Sequence, residues 1–164
     1  MSKAVYPGSY DPITNGHLDI IKRCSYVFDE VVVAILVNPD KKGWFTTEER
    51  VKMIEKVTSH LGNVKVKSFE GLLVDFMENE DIGVIIKGLR TMTDFDYEMQ
   101  MAMMNKKLNK TKETMFMMTN SKYSYLSSSA VKQVAIFKGN LDGLIPGELE
   151  DEIRNKAKNF EGEK

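Results

Sequence analysis

The stretch YPGSYDPITNGHLDII, Tyr6 to Ile21, passes from the end of an apolar strand through Gly, Pro, Thr and Asn into a helical pattern. Ile20, Ile21, Cys24, Val27 and Phe28 then recur at helical spacing along one stripe, and Thr14 stands where an N-cap belongs. A strand followed at once by a capped helix is the opening of a β-α-β unit. The turn lacks the spacing of a GxGxxG or Walker loop, so it is not a standard phosphate loop.

Outward from this stretch, short apolar runs alternate with amphipathic segments. Strands are read at 4–6, 31–37, 64–69, 84–88 and 114–119. The runs around Val31 and Val84 are continuously apolar and β-branched, as strands covered on both faces require. Val64 and Val66 alternate with Lys65 and Lys67, which predicts a more exposed edge. Between them, FTTEERVKMIEKV offers Thr46 or Thr47 as a cap with acidic residues in the first turn. Further helices are read at 71–79, 94–108, 128–138 and 147–158. This alternation predicts an α/β protein, a Rossmann-like doubly wound sheet of five parallel strands in a single domain spanning 1–164. The charged end NFEGEK, from Asn159, reads as a frayed tail.

Composition narrows the function mainly by exclusion. With 23 Lys and Arg against 24 Asp and Glu, the chain has no strong field for nucleic acid or an anionic membrane, so anion binding must be local. No apolar run reaches the roughly 18 residues of a membrane span. The lone Cys24 and an N-terminus without a signal-peptide core point to a reducing, cytoplasmic setting.

In an open parallel sheet, ligands bind beyond the carboxyl ends of the strands, near the point where strand order reverses. After the first strand come Ser9, Tyr10, Gly16 and His17. The helix N-terminus there attracts phosphate, and its dipole disfavours an imidazolium, so His17 suits a neutral hydrogen-bond donor. His17 also sits at i+3 and i+4 spacing to Ile20 and Ile21, so a core or capping role stays open. After the second strand, Lys41 and Lys42 offer cations. After the fourth, Lys87 and Arg90 frame Gly88 and Leu89, with Asp94 or Glu98 as alternative ion-pair partners for Arg90. After the fifth, Ser127, Ser128 and Ser129 precede a helix, more hydroxyls than capping needs. Together these features suit a polyphosphate.

The segments YPGSYDPITNGH, KGLRTMTDFDYE and YSYLSSSAVK, in that order and at those separations, resemble the bacterial phosphopantetheine adenylyltransferase family of the nucleotidyltransferase superfamily. Thr14, Gly16 and His17 look like the superfamily's HxGH-type signature, and the likeness runs from Ala4 to about Pro146. It implies transfer of an adenylyl group from ATP to 4'-phosphopantetheine, giving dephospho-coenzyme A and pyrophosphate, with magnesium carried by ATP. Ser9, Lys41, Leu73 and Lys87 would hold phosphopantetheine. Ser9, Tyr10, His17, Gly88, Leu89, Arg90, Glu98 and Tyr123, Ser124, Tyr125, Leu126, Ser127, Ser128 and Ser129 would hold ATP. His17, Lys41 and Arg90 would be catalytic, and no Asp, Glu or His cluster in the chain has the spacing of a dedicated metal cage. The resemblance also implies a homohexamer and coenzyme A as a possible feedback ligand.

Lys87 stands where an arginine is frequent in that family, and Ser9 where a threonine is. Tyr10 and Tyr125 stand where phenylalanine is frequent. Met99, Met101, Met103 and Met104 with Met115, Met117 and Met118 form a methionine-rich group, read as core packing or a subunit interface.

Overall fold

The computed structural model describes residues 2–38 and 42–161. It contains five parallel strands, β1 (Lys3–Gly8), β2 (Glu30–Leu36), β3 (Val64–Phe69), β4 (Val84–Leu89) and β5 (Glu113–Met118). Helices α1 (Asn15–Val27), α2 (Thr47–Thr58), α3 (Leu73–Asn79) and α4 (Met92–Leu108) connect them in turn. Past β5 come α5 (Ser128–Ile136) and α6 (Glu150–Glu161). The sheet order is β3-β2-β1-β4-β5, so strand order reverses between β1 and β4.

Period-two alternation along the central strands builds two apolar layers. Ala4, Tyr6, Val31, Val33 and Ile35 face a cluster with Ile20, Ile21 and Cys24 of α1, Ile54 of α2 and Val131 of α5. Val5, Val32, Ala34 and Ile85 face the other way, onto Met77 and Ile82 with Leu73 and Phe76 packed alongside. Residues 31–35 are essentially inaccessible, which is why that run carries no polar alternation. Burying each such Val or Ile contributes roughly 1.5–3 kcal/mol, before the entropy of ordering the chain is subtracted. β3 lies at an edge, where its lysines reach solvent and pair with Glu30 and Glu80.

Helix starts follow their capping chemistry. Thr14 and Thr46 each complete a capping box, with His17 and Glu49 at the third position, and Ser127 caps α5 through the Ala130 amide. α6 begins at Glu150, after a short 3-10 turn at Gly147–Leu149, and its backbone continues to Glu161. It therefore includes the start of the segment expected to fray, whose last three residues lie outside the described ones. α4 departs from the pattern, since none of its 17 residues is buried.

Candidate active site

The carboxyl ends of β1 and β4, at the reversal of strand order, open into a cleft of about 280 Å³. The N-termini of α1 and α5 both border it, through Gly16 and His17 on one side and Ser127 and Ser128 on the other. The first amides of each helix have no intrahelical acceptor, so two partly positive helix ends face the same space. At Gly16 the two loops meet closely: a Cβ there would lie 3.5 Å from that of Tyr123.

His17 is fixed by its own helix. Its Nδ1 accepts the backbone N–H of Thr14 at 3.1 Å, while Thr14 Oγ1 accepts the His17 amide. An amide can only donate, so Nδ1 is unprotonated and a neutral ring carries its proton on Nε2, free to act as a donor. Burial, and then the Arg90 charge, lower the His17 pKa to about 4. The expected neutral donor and the alternative capping role are thus one arrangement: the cap selects the tautomer. Tyr10 packs edge-on to the His17 ring, with centroids 5.1 Å apart. Its hydroxyl donates to the Tyr6 carbonyl at 2.7 Å, and its backbone takes a positive φ of 48°. That left-handed conformation costs on the order of 1 kcal/mol and turns the chain at the mouth of the cleft.

The cations of the opposite wall come from β4 and the turn after it. Lys87 Nζ lies 3.1 Å from Glu98 Oε2, which is buried and makes no hydrogen bond among the described residues. Arg90 forks onto Asp94 at 3.0 and 3.2 Å and also donates to the Leu126 carbonyl at 2.6 Å. The ion pair foreseen for Arg90 therefore forms, with Asp94, while the third contact ties the β4 exit to the serine loop. At Gly88 a Cβ would crowd the Tyr6 hydroxyl, 3.3 Å away.

The cleft thus gathers Ser9, Tyr10, His17, Lys87, Gly88 and Arg90 with Glu98, Tyr123, Leu126, Ser127 and Ser128. Other expected residues stand apart from its lining. Leu89 is buried, Tyr125 and Ser129 are exposed, and Ser124 caps the 3-10 turn at Ser121–Tyr123. Leu73 packs half-buried on the second apolar cluster. Lys41 lies outside the described residues. Tyr6 and Thr119 also line the cleft, the first at the strand core and the second just past β5, and neither carries a sequence signal beyond that placement. The three serines divide their work: Ser127 caps, Ser128 donates to the Pro12 carbonyl at 2.7 Å, and Ser129 faces solvent.

Two helix ends and two cations thus meet at the switch point of the sheet, and the cytidylyltransferase-like family model matches residues 5–134, which places the chain in the nucleotidyltransferase superfamily. In fold the chain is similar to a solved structure from Vibrio parahaemolyticus described as a candidate nicotinate-nucleotide adenylyltransferase. The TM-score is 0.73 at 16% identity, covering 96% of this chain and 94% of the other. The phosphopantetheine adenylyltransferase of Clostridium novyi is 65% identical, over 95% of this chain and 97% of its own length. That of Clostridium tetani is also 65% identical, over 97% and 99%. The chain belongs to the phosphopantetheine adenylyltransferase family.

Proposed function

We propose that this protein transfers the adenylyl group of ATP to 4'-phosphopantetheine, releasing pyrophosphate and forming dephospho-coenzyme A. The observation that carries the reading is the convergence of two helix N-termini, a neutral histidine donor and the Lys87 and Arg90 cations on one cleft. The 65% identity to relatives of that name supports the choice of substrates.

An oxygen of the acceptor phosphate attacks the α-phosphorus in line, and the bond from that phosphorus to the pyrophosphate oxygen breaks, its electron pair leaving with pyrophosphate. No enzyme nucleophile is required, so positioning and charge neutralisation supply the rate. His17 Nε2–H donates to an α-phosphate oxygen whose charge grows in the transition state. Arg90, whose guanidinium keeps N–H groups beyond those given to Asp94 and Leu126, holds the β and γ phosphates with the amides of α5. Lys41 and Lys87 neutralise the acceptor phosphate, with Ser9 and Leu73 along its arm. Gly88, Leu89, Glu98 and Tyr123 to Ser129 complete the nucleotide side.

Among the described residues no three His, Cys, Asp or Glu side chains converge as a metal cage, and Asp94 and Glu98 already face cations. Magnesium in this account arrives on the ATP phosphates, where it screens their charge, keeping most of its waters. Coenzyme A, which joins both substrate halves, is a competing ligand of the same cleft. The protein works in the cytoplasm, in keeping with a buried free thiol at Cys24 and no helix, among the described residues, long and apolar enough to cross a membrane.

It assembles as a homohexamer. Met103, Met104, Met115 and Met118, with Tyr97 and Phe116, are exposed in the single chain, so most of the methionine group is a surface and not core. An apolar face of that extent on α4 and β5 suits subunit contact.

Pyrophosphate release from ATP and magnesium, with 4'-phosphopantetheine, nicotinamide mononucleotide and glycerol 3-phosphate as parallel acceptors, tests the reaction. Release with phosphopantetheine alone is expected, and release with another acceptor would overturn the roles of Lys41, Leu73 and Lys87.

A further inference from the structure

Asp11 does not line the cleft, yet the residue is buried and its carboxylate accepts three hydrogen bonds. Oδ1 accepts the Phe45 amide at 2.9 Å. Oδ2 accepts the Trp44 amide at 2.9 Å and Lys132 Nζ at 2.8 Å. Desolvation alone would raise the pKa of this acid, but the Lys132, Phe45 and Trp44 hydrogen bonds outweigh it and the net shift is downward. Three donors, two of them backbone amides, hold this carboxylate in one orientation.

Its partners fall on two segments, the run leading into α2 and helix α5, the second of which borders the cleft. Lys132 is one turn past Ser128 on α5, so both project to the same side, and Ser128 Oγ is bonded to the carbonyl of Pro12, next to Asp11. The first two turns of α5 are thereby fastened to the β1–α1 turn at adjacent residues. Thr14, the cap of α1, comes three positions after Asp11, and Ser127, the cap of α5, immediately precedes Ser128. Trp44 and Phe45 lead into α2, whose Arg50 returns to the Ser9 carbonyl at 2.8 Å and closes the ring. Even Gly43 conforms, since a Cβ there would come within 3.1 Å of Asp11 Oδ2.

We propose that Asp11 and Lys132 are positioning residues for the transfer: their ion pair sets the two helix N-termini at the separation that aligns the α-phosphorus with His17 while α5 grips the leaving pyrophosphate. The proposal rests on the adenylyl-transfer reading above. A partly buried ion pair such as this one is a poor source of net stability, because desolvation offsets much of the attraction, whereas a fixed distance between two phosphate cradles is something a directed pair supplies. With Nζ turned to Asp11, Lys132 acts through the helix that carries it and not on phosphate directly.

The test compares Lys132→Met, Lys132→Arg, Asp11→Asn and the Lys132→Met/Asp11→Asn double variant. It measures kcat, KM for each substrate, ATP affinity by calorimetry and the thermal midpoint. Misalignment by about 1 Å costs on the order of 100-fold in rate. The expected result is a 10- to 100-fold fall in kcat for Lys132→Met with ATP affinity changed less than about threefold. Lys132→Arg should stay within a few-fold of the unsubstituted protein, and the double variant should be no slower than the slower single one. Weakened ATP binding at preserved kcat would make Lys132 a phosphate ligand and overturn the proposal. Unchanged kcat and KM beside a lowered midpoint, or loss of folding in every variant including Lys132→Arg, would assign the pair to stability alone and overturn it too. Turnover of the unsubstituted protein in the same wells separates a failure of the brace from a failure of the reaction.

Discussion

Replacing His17 separates two jobs that the structure assigns to one ring. His17→Ala removes the Nδ1 acceptor of the Thr14 amide, half of the α1 capping box, and with it the Nε2 donor facing the cleft. Loss of a cap interaction costs about 1 kcal/mol, which for a domain of this size lowers the melting midpoint by roughly 2–4 °C. Loss of one preorganised donor to a developing phosphate charge costs on the order of 100- to 1000-fold in turnover, or about 2.7–4 kcal/mol of barrier. The catalytic loss should therefore exceed the structural one severalfold. His17→Gln is the informative control, because Gln at the third helical position can restore the capping box while its amide N–H faces the cleft. We expect its midpoint near that of the unsubstituted protein and its turnover between the two. Steady-state pyrophosphate release and thermal circular dichroism read both quantities. Near-normal kcat in His17→Ala with only a raised KM for ATP would refute the transition-state role.

The depressed His17 pKa gives a second expectation: between about pH 4 and 6.5 the unfolded chain binds a proton that the folded ring refuses. Stability should be full above pH 6.5 and fall as the pH drops toward 4, with a shallower fall in His17→Gln; equal slopes in urea titrations would contradict a neutral buried imidazole. Turnover should likewise show no acid limb centred at 6.5. Lys41→Ala and Lys87→Ala should each raise KM for 4'-phosphopantetheine more than that for ATP, and equal losses on both substrates would argue against their assignment to the acceptor. Met103→Glu on the exposed face of α4 should shift the sedimentation coefficient toward smaller species, and an unchanged assembly would place the subunit contact elsewhere.

Much of this architecture is local and so was legible in the chain. Residues 31–35 are uniformly apolar because both layers cover them, and Thr14, Thr46 and Ser127 announce three helix starts by chemistry that acts over three residues. The order of elements implied a sheet whose strand ends carry the site, which brought Ser9, His17, Lys87, Arg90 and the serine loop to attention together. The features that the sequence could not display depend on distance or on partners. Asp11 and Lys132 are 121 positions apart, and an aspartate in a Pro-containing turn reads as a turn residue. Arg90 offered a choice between pairing and ligand binding, whereas the folded chain lets it fork onto Asp94 while still lining the cleft. α4 has no fully buried residue and turns its methionines outward, so periodicity could locate the helix without saying what covers them.

The direct test of transfer without an enzyme-bound intermediate is the stereochemical course at the α-phosphorus, using ATP made chiral there by a single sulfur substitution. One in-line displacement by the acceptor phosphate predicts inversion of configuration in the dephospho-coenzyme A formed. Retention would require two displacements through an adenylylated side chain, and would contradict an account in which His17, Lys41, Lys87, Arg90 and two helix ends act only by holding and neutralising the phosphates.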